Sequence, residues 1–262
     1  MEQEYLEFAT SIAKKAGEIM KKYFNENNGE SYKNDNTIVT IADKEINSYL
    51  IEQVKLKYPT HSVDGEEEQF NQSNYVWVCD PIDGTAMYAR HIPVAVFSLA
   101  LVVNGESIVG VVYDVFTDNL YTAIKGKGAY KNGQKISVNN YSLTDKESVA
   151  HFDMFPSSEY NIYDAIKILG QKSYFVSIGS IIRASMCVAT GDFTLALFPG
   201  TKHKNCDIAA VKVIVEEAGG IVTDLFGNDQ RYDQNINGAI ICNNNCFQEV
   251  LETLKIRTNN VF

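Results

Sequence analysis

No stretch of the 262-residue chain is apolar over the roughly 18 positions that a bilayer-spanning helix needs. Basic residues are also short. The 23 Lys and Arg face 33 Asp and Glu, a formal charge of −10, which argues against the cationic surface a nucleic-acid binder presents to phosphates. Cysteine is sparse: Cys79, Cys187, Cys206, Cys242 and Cys246 form an odd set in a long chain, so a disulfide framework is not expected. Cys242 and Cys246 lie four apart with no second Cys or His pair nearby, which predicts buried reduced thiols rather than zinc. The start, Met1-Glu2-Gln3-Glu4, is acidic and unlike a secretory leader. Linkers, repeats and low-complexity tracts are lacking. These absences predict a cytoplasmic protein with no membrane and no nucleic-acid partner.

Hydrophobic residues make up 45 % and charged residues 21 %, ordinary globular proportions that argue against extensive disorder. A chain of this length can bury a substantial core. The acidic balance has two readings. It aids solubility, or part of it sits in a metal site, and only local spacing separates them.

Leu6, Ala9, Ile12, Ala13, Ala16, Ile19, Met20 and Phe24 recur at helical spacing and predict an opening amphipathic helix ending near Asn25–Gly29. A polar loop runs from Glu30 to Thr37. A second helix is predicted from Ala42 to Lys57 with Ile46, Leu50, Val54 and Leu56 buried, stopped by Tyr58-Pro59. His61–Asp64 and Val76–Cys79 read as strands. Val94–Val103, Ile108–Phe116 and Asn119–Ile124 follow, with hairpin signals at Asn104-Gly105 and Asn132-Gly133; this middle third reads as an antiparallel meander. Later elements are a helix over Asp164–Gly170, a strand over Tyr174–Ile178, a helix over Ser180–Thr190 and a strand over Phe193–Phe198. A helix over Asp207–Ala218 is capped by Asn205 and stopped by Gly219-Gly220. A strand over Gly238–Cys242 precedes a closing helix over Cys246–Lys255. The division expected is an N-terminal α+β half, 1–143, and a C-terminal α/β half, 144–262.

Three segments carry chemistry. In Asp80-Pro81-Ile82-Asp83-Gly84-Thr85 an apolar strand delivers two carboxylates three residues apart. Pro81 restrains the backbone and Gly84 permits φ > 0 or close approach. If Gly84 and Thr85 open a helix, their N–H groups favour an anion. In Gly65-Glu66-Glu67-Glu68 three acids follow a strand 14 positions before Asp80. An acidic run is ordinarily a solvated face, but two neighbouring strands would bring one of these acids beside Asp80. Carboxylates ~4 Å apart repel by about 4 kcal/mol at an effective dielectric of 20, so such a cluster calls for hard divalent cations, above all Mg²⁺. The third segment is Asn205-Cys206-Asp207-Ile-Ala-Ala210. Asp207 falls in a helical first turn, where an acid usually serves the dipole. Small Ala209 and Ala210 would let that helix approach closely.

Together these segments resemble the inositol monophosphatase family, within the lithium-sensitive, magnesium-dependent phosphatase superfamily. The match rests on Gly65-Glu66-Glu67, on Trp77-Val-Cys-Asp80-Pro-Ile-Asp83-Gly-Thr85 and on Asp207-Ile-Ala-Ala-Val…Glu217-Ala-Gly-Gly220. Thr37-Ile-Val-Thr-Ile-Ala-Asp43 and Gly126-Lys-Gly-Ala-Tyr-Lys-Asn-Gly133 extend it to nearly the whole chain. The resemblance implies an α+β fold, a layered αβαβα sandwich of the inositol monophosphatase / fructose-1,6-bisphosphatase type, assembled as a homodimer. It also implies Mg²⁺-dependent hydrolysis of a small phosphate monoester, with two or three ions.

By the same resemblance, Glu66, Asp80 and the carbonyl of Ile82 hold a first Mg²⁺. Asp80 bridges to a second, completed by Asp83 and Asp207, and a third leans on Glu66. Glu67 stands beside the metals. Asp43 and Thr85 orient and help deprotonate the attacking water, and the N–H groups of Gly84 and Thr85 hold phosphate. Lys33 lies in a loop that can close over substrate. His61, His91, His151 and His203 fit no nucleophilic triad.

Substrate choice is expected from the second half. Gly179-Ser180-Ile181 resembles the turn lining the sugar or inositol ring, where inositol-specific members carry a small residue at the Ile181 position. They also carry an acid about seven residues before the Asp207 position. The stretch 198–205 has no acid, and Lys202, His203 and Lys204 suit a second phosphate, with Arg183 a further anion contact. The leading expectation is an inositol monophosphatase of relaxed specificity. An NADP(H) 2′-phosphatase or related nucleotide or sugar bisphosphate phosphatase is the alternative. A regulatory binding protein that lost catalysis is a third, set against the complete acid set.

Overall fold

The computed structural model describes residues 1–26, 29–33, 37–154, 158, 160–200 and 205–258. The first half opens with α1 (Glu2–Phe24), a small hairpin β1 (Ser31–Tyr32) and β2 (Ile38–Val39), and α2 (Ile41–Lys57). Then come β3 (Ser62–Gly65), β4 (Gln69–Phe70), β5 (Tyr75–Asp83), α3 (Thr85–Tyr88), β6 (Val96–Val103), β7 (Glu106–Asp114), β8 (Asn119–Ile124), β9 (Ala129–Lys131) and β10 (Gln134–Lys135). The second half contains β11 (Val149–Phe152), α4 (Tyr163–Leu169), β12 (Tyr174–Val176), α5 (Ile181–Ala189), β13 (Leu195–Phe198), α6 (Cys206–Glu217), β14 (Ile221–Thr223), β15 (Ala239–Cys242) and α7 (Phe247–Thr258).

Strands β3 to β10 form an eight-stranded sheet in the order β10-β9-β8-β7-β6-β5-β3-β4. Its pairs are antiparallel except β3 with β5, which run parallel. The five later strands form a second sheet, β12-β11-β13-β15-β14, half parallel and half antiparallel. Side chains alternate across β5, as strand geometry requires. Trp77 and Cys79 pack into one core with α1 and α2, while Val76 and Val78 pack into another with α5 and α6. That second core also takes Ala196, Phe198 and Ile241 from the smaller sheet, whose opposite face (Phe152, Leu195, Leu197) is covered by α4 and α7. The result is the expected αβαβα layering.

Helix α6 runs through the middle layer and comes very close to the large sheet. A Cβ on Gly110 of β7 would stand 2.9 Å from the Ala210 carbonyl, so the helix backbone sits against the strand where both residues are small. The two Asn-Gly hairpins form as expected, with Asn104 at φ 53° and Gly105 at φ 91°, and Asn132 at φ 50° and Gly133 at φ 78°.

Some expectations need correction. Leu56 is 72 % exposed, because the buried face of α2 is formed by Ala42, Asp43, Ile46, Asn47, Leu50, Ile51 and Val54, and Leu56 falls off that face. Asn205 occupies the cap position of α6 but its side chain does not cap the helix. Its amide donates instead to Asp64 Oδ2 at 2.7 Å and to the Tyr232 carbonyl at 2.9 Å. Strand β5 continues past its apolar run to Asp83. All five cysteines are free, and Cys79, Cys206, Cys242 and Cys246 are buried. Among the described residues no helix is long and apolar enough to cross a membrane.

Candidate active site

The parallel pairing of β3 with β5 builds the first corner of the site. Gly65 lies opposite Cys79, and the Glu66 N–H donates to the Cys79 carbonyl at 3.1 Å. The acid run therefore starts beside Asp80. Asn47 of α2 holds the turn that follows. Its Oδ1 accepts the Glu67 N–H at 3.3 Å and its Nδ2 donates to the Glu68 carbonyl at 3.1 Å. Sequence reasoning missed Asn47, since a polar residue on a buried helix face carries no motif of its own.

Lys33 reaches into this corner. Its Nζ lies 2.6 Å from Glu67 Oε1 and 3.2 Å from Glu66 Oε1. Burial works against its positive charge, but the two carboxylates outweigh burial and raise the ammonium above its ordinary value. The acid pair thus already carries a cation, supplied by the chain.

The second corner lies where β5 leaves regular pairing with β6, a register shift between Asp80 and Asp83. In an uninterrupted strand, residues three apart point to opposite faces. Here the irregularity at Pro81-Ile82 lets both carboxylates approach Asp207. One ligand atom from each of Asp80, Cys206 and Asp207 lies within 4.8 Å of the others, all three residues being buried. Asp83 is pushed up to about 8 by burial and by the neighbouring charge of Asp207. Its Oδ2 accepts from Ser180 Oγ and from the Ile182 N–H at 2.8 Å. The crowded, buried carboxylates of Asp80, Asp83 and Asp207 fit a hard divalent cation, which would relieve their mutual repulsion.

Asp43 forms the third corner. Its Oδ2 accepts from the Thr40 N–H at 2.8 Å and from Thr40 Oγ1 at 2.5 Å, closing the N-terminus of α2. Its Oδ1 is buried and has no hydrogen-bond partner among the described residues. Burial pushes Asp43 up to about 7, the Thr40 bonds oppose that, and Glu66 and Glu67 add to it. Thr85 Oγ1 donates to the Ile82 carbonyl at 2.8 Å, so the pair expected to share a proton is not directly bonded in this conformation. Gly84 adopts φ 86° at the start of the short helix α3. A Cβ there would meet the Gly179 carbonyl at 3.0 Å and Ser180 Cβ at 3.3 Å.

The remaining candidates divide. Gly179 and Ser180 abut Gly84. Ile181 is only 2 % exposed and packs into the middle core, so in this conformation its side chain fills the interior instead of lining a ligand surface. The Arg183 guanidinium is committed elsewhere, 3.3 Å from Asp114 Oδ2 and 3.0 Å from the Pro93 carbonyl. His61 accepts from Trp77 Nε1 at 3.2 Å within an aromatic stack, and His151 pairs with Asp153 at 2.9 Å. Lys202, His203 and Lys204 lie outside the described residues.

A model of the inositol monophosphatase family matches residues 1–258. The chain belongs to the inositol monophosphatase family. It is similar to human inositol monophosphatase 1, with 31 % identity over 261 residues, 94 % of this chain and 92 % of that protein. Among solved structures it resembles an IMPase from Thermotoga maritima at a TM-score of 0.85 and 26 % identity, covering 97 % of each chain. It also resembles a dual specific IMPase/NADP phosphatase bound with D-inositol-1-phosphate, at a TM-score of 0.83 and 25 % identity over 98 % and 97 % of the two chains. The protein is a phosphatase-type hydrolase whose substrate class is a small phosphate ester.

Proposed function

We propose that this enzyme hydrolyses inositol monophosphate with relaxed specificity, using Mg²⁺ held by the acids of the first half together with Asp207. The observation that carries this reading is the convergence of Asp80 and Asp83, across an irregular strand, on Asp207 at the start of α6. Glu66, Asp80 and the Ile82 carbonyl would hold one ion, and Asp80, Asp83 and Asp207 another. A third would rest on Glu66 with Glu67 beside it. When bound, Mg²⁺ acidifies the attacking water and neutralises charge on the phosphoryl and leaving oxygens.

The chain's own groups do the rest. Asp43, held near neutrality by burial, accepts a proton through Thr85 once the Thr85 hydroxyl turns from the Ile82 carbonyl. The Gly84 and Thr85 N–H groups cradle the phosphate, and Gly179 and Ser180 close the wall beside it. A cation held by Glu66 would compete with Lys33 for the Glu66–Glu67 pair, and a displaced Lys33 would be placed to meet an anionic substrate.

Activity on the 2′-phosphate of NADP(H) is the second reading. It is supported by the likeness to a dual specific IMPase/NADP phosphatase and by the lack of an acid over 198–205. Phosphate release from inositol 1-phosphate, NADP, 3′-phosphoadenosine 5′-phosphate and fructose 1,6-bisphosphate, with and without Mg²⁺ and Li⁺, tests both. The first reading expects Mg²⁺-dependent, Li⁺-inhibited turnover with the highest kcat/KM on inositol 1-phosphate. Near-normal turnover by Asp83→Asn would sink the metal assignment.

We further read the enzyme as a cytoplasmic homodimer with units 1–143 and 144–262. Five free thiols support a reducing compartment. Exposed Tyr174 and Phe175 on the edge strand β12 support self-association. Light scattering on the purified protein tests the dimer, and a monomer at micromolar concentration would refute it.

A further inference from the structure

Nothing in the proposed hydrolysis uses Cys206, yet its thiol stands inside the acid centre. Cys206 is the first residue of α6 and is 3 % exposed. Its Sγ donates to Asp207 Oδ1 at 3.8 Å, and it completes the three-residue cluster with Asp80 and Asp207, whose ligand atoms all lie within 4.8 Å of one another. A separate feature borders the same residue. A cleft of about 240 Å³ is lined by Asp64, Gly65, Glu66, Asn205, Cys206 and Asp233, among others, and its charged lining groups are all carboxylates. Cys206 thus stands between the acid centre and an acid-lined cleft that favours cations.

We propose that Cys206 turns this corner of the centre into a site for a thiophilic divalent cation, Zn²⁺ or Cd²⁺, held by the Cys206 thiolate with Asp80 and Asp207. Mg²⁺ takes oxygen ligands in an octahedron and gains nothing from sulfur. Zn²⁺ accepts thiolate at about 2.3 Å and carboxylate at about 2.0–2.2 Å in a tetrahedron, and softer ligands select it over Mg²⁺. A tetrahedral ion places its ligand atoms on the order of 3.5 Å apart. The present cluster, with its ligand atoms within 4.8 Å of one another, would have to contract by about 1 Å to reach that spacing. The Cys206 S–H proton leaves to water as the sulfur–metal bond forms, and the start of a helix favours the thiolate that remains. Because Asp80 and Asp207 serve both ions, a bound Zn²⁺ excludes Mg²⁺ from the shared carboxylates. The enzyme would then be switched off by low concentrations of Zn²⁺ in the presence of Mg²⁺.

This inference rests on the proposed function only in assigning Asp80 and Asp207 to metal, and its test reads binding directly. The full-length, reduced, metal-free protein is titrated with Cd²⁺ alone while the ultraviolet thiolate-to-cadmium charge-transfer band is followed. The band is expected in the wild type and in Cys187→Ser, and lost in Cys206→Ser. Calorimetry with Zn²⁺ is expected to show binding at least tenfold weaker in Cys206→Ser, while Mg²⁺ binding changes less than threefold. No band in the wild type, a band that survives Cys206→Ser, or equal weakening of Zn²⁺ and Mg²⁺ would overturn the proposal. Should Cys206→Ser fail to fold, X-ray absorption on the Zn²⁺-loaded wild type decides. A sulfur near 2.3 Å supports the site, and a shell of oxygen and nitrogen alone refutes it. Phosphate release with Mg²⁺ in the same samples separates the two readings. Its absence beside a clear band would sink the phosphatase assignment and leave the thiol site standing.

Discussion

Ser180 Oγ donates to Asp83 Oδ2 across 97 positions of chain. The same oxygen accepts the Arg183 N–H at 3.1 Å and so caps α5. One hydroxyl therefore closes a helix of the second half and fixes a carboxylate of the first. Ser180→Ala removes both bonds within a buried site, and a loss of about 1–3 kcal/mol is expected. Urea unfolding measures it. A change under about 0.5 kcal/mol, the size of an ordinary surface substitution, would mean that the bond contributes nothing net.

Gly84 joins the strand of Asp80 and Asp83 to α3 at φ 86°, with the Gly179 carbonyl 3.0 Å from where a Cβ would sit. Gly84→Ala combines a left-handed backbone with a contact against rigid main chain. A destabilisation of about 1–3 kcal/mol is expected, with catalytic loss larger than the unfolded fraction explains. Activity and the unfolding midpoint are measured on one preparation; an intact midpoint would show that the backbone can relax.

Asp43 at about 7 and Asp83 at about 8 both bind protons more tightly in the folded state than in the unfolded chain. The folded state holds more protons between the ordinary carboxylate range and these raised values, so stability falls as pH rises from about 4 to about 8 and then levels off. The metal-free protein should melt lower at pH about 8 than at pH about 5, and Mg²⁺ should restore more at the higher pH because it favours the ionised acids. Scanning calorimetry with and without chelator checks this. A melting temperature that climbs steadily with pH in the metal-free protein contradicts it.

Asp43→Asn keeps an oxygen for the Thr40 N–H, so the cap of α2 survives and the melting temperature should shift little. Loss of the proton acceptor should lower kcat by about 10²- to 10⁴-fold with KM nearly unchanged. Steady-state kinetics at saturating Mg²⁺ provides the measurement, and a loss below tenfold would remove Asp43 from the proton path.

Much of this was legible from local chemistry. The Asn-Gly turns declare their positive φ, the stripe of α1 declares its buried face, and Asp80–Thr85 declares a site because no packing role needs two acids three apart after an apolar strand. What stayed hidden depends on distant partners. Val149–Phe152 did not read as a central strand, because His151 is buried there through Asp153. Asn205 looked like a cap, but Asp64 and the Tyr232 carbonyl claim its amide. Ser180 looked like a ligand-facing residue, but its hydroxyl belongs to Asp83. Leu56 looked buried, but it falls off the face of α2 that carries Ile46, Asn47, Leu50, Ile51 and Val54.

The parallel pairing of β3 with β5 also bears on how the molecule assembles in time. Glu66 bonds Cys79, the neighbour of Asp80, through a short loop that closes at little entropic cost, whereas Asp83 waits for Ser180 and Asp64 waits for Asn205, 141 positions away. Short-range contacts form before long-range ones in general. A nascent first half can thus gather two of its acids early, but the full centre exists only after the halves have docked. If the acids bind a cation as proposed, tight binding is expected only late on the folding path, in a chain whose halves have docked.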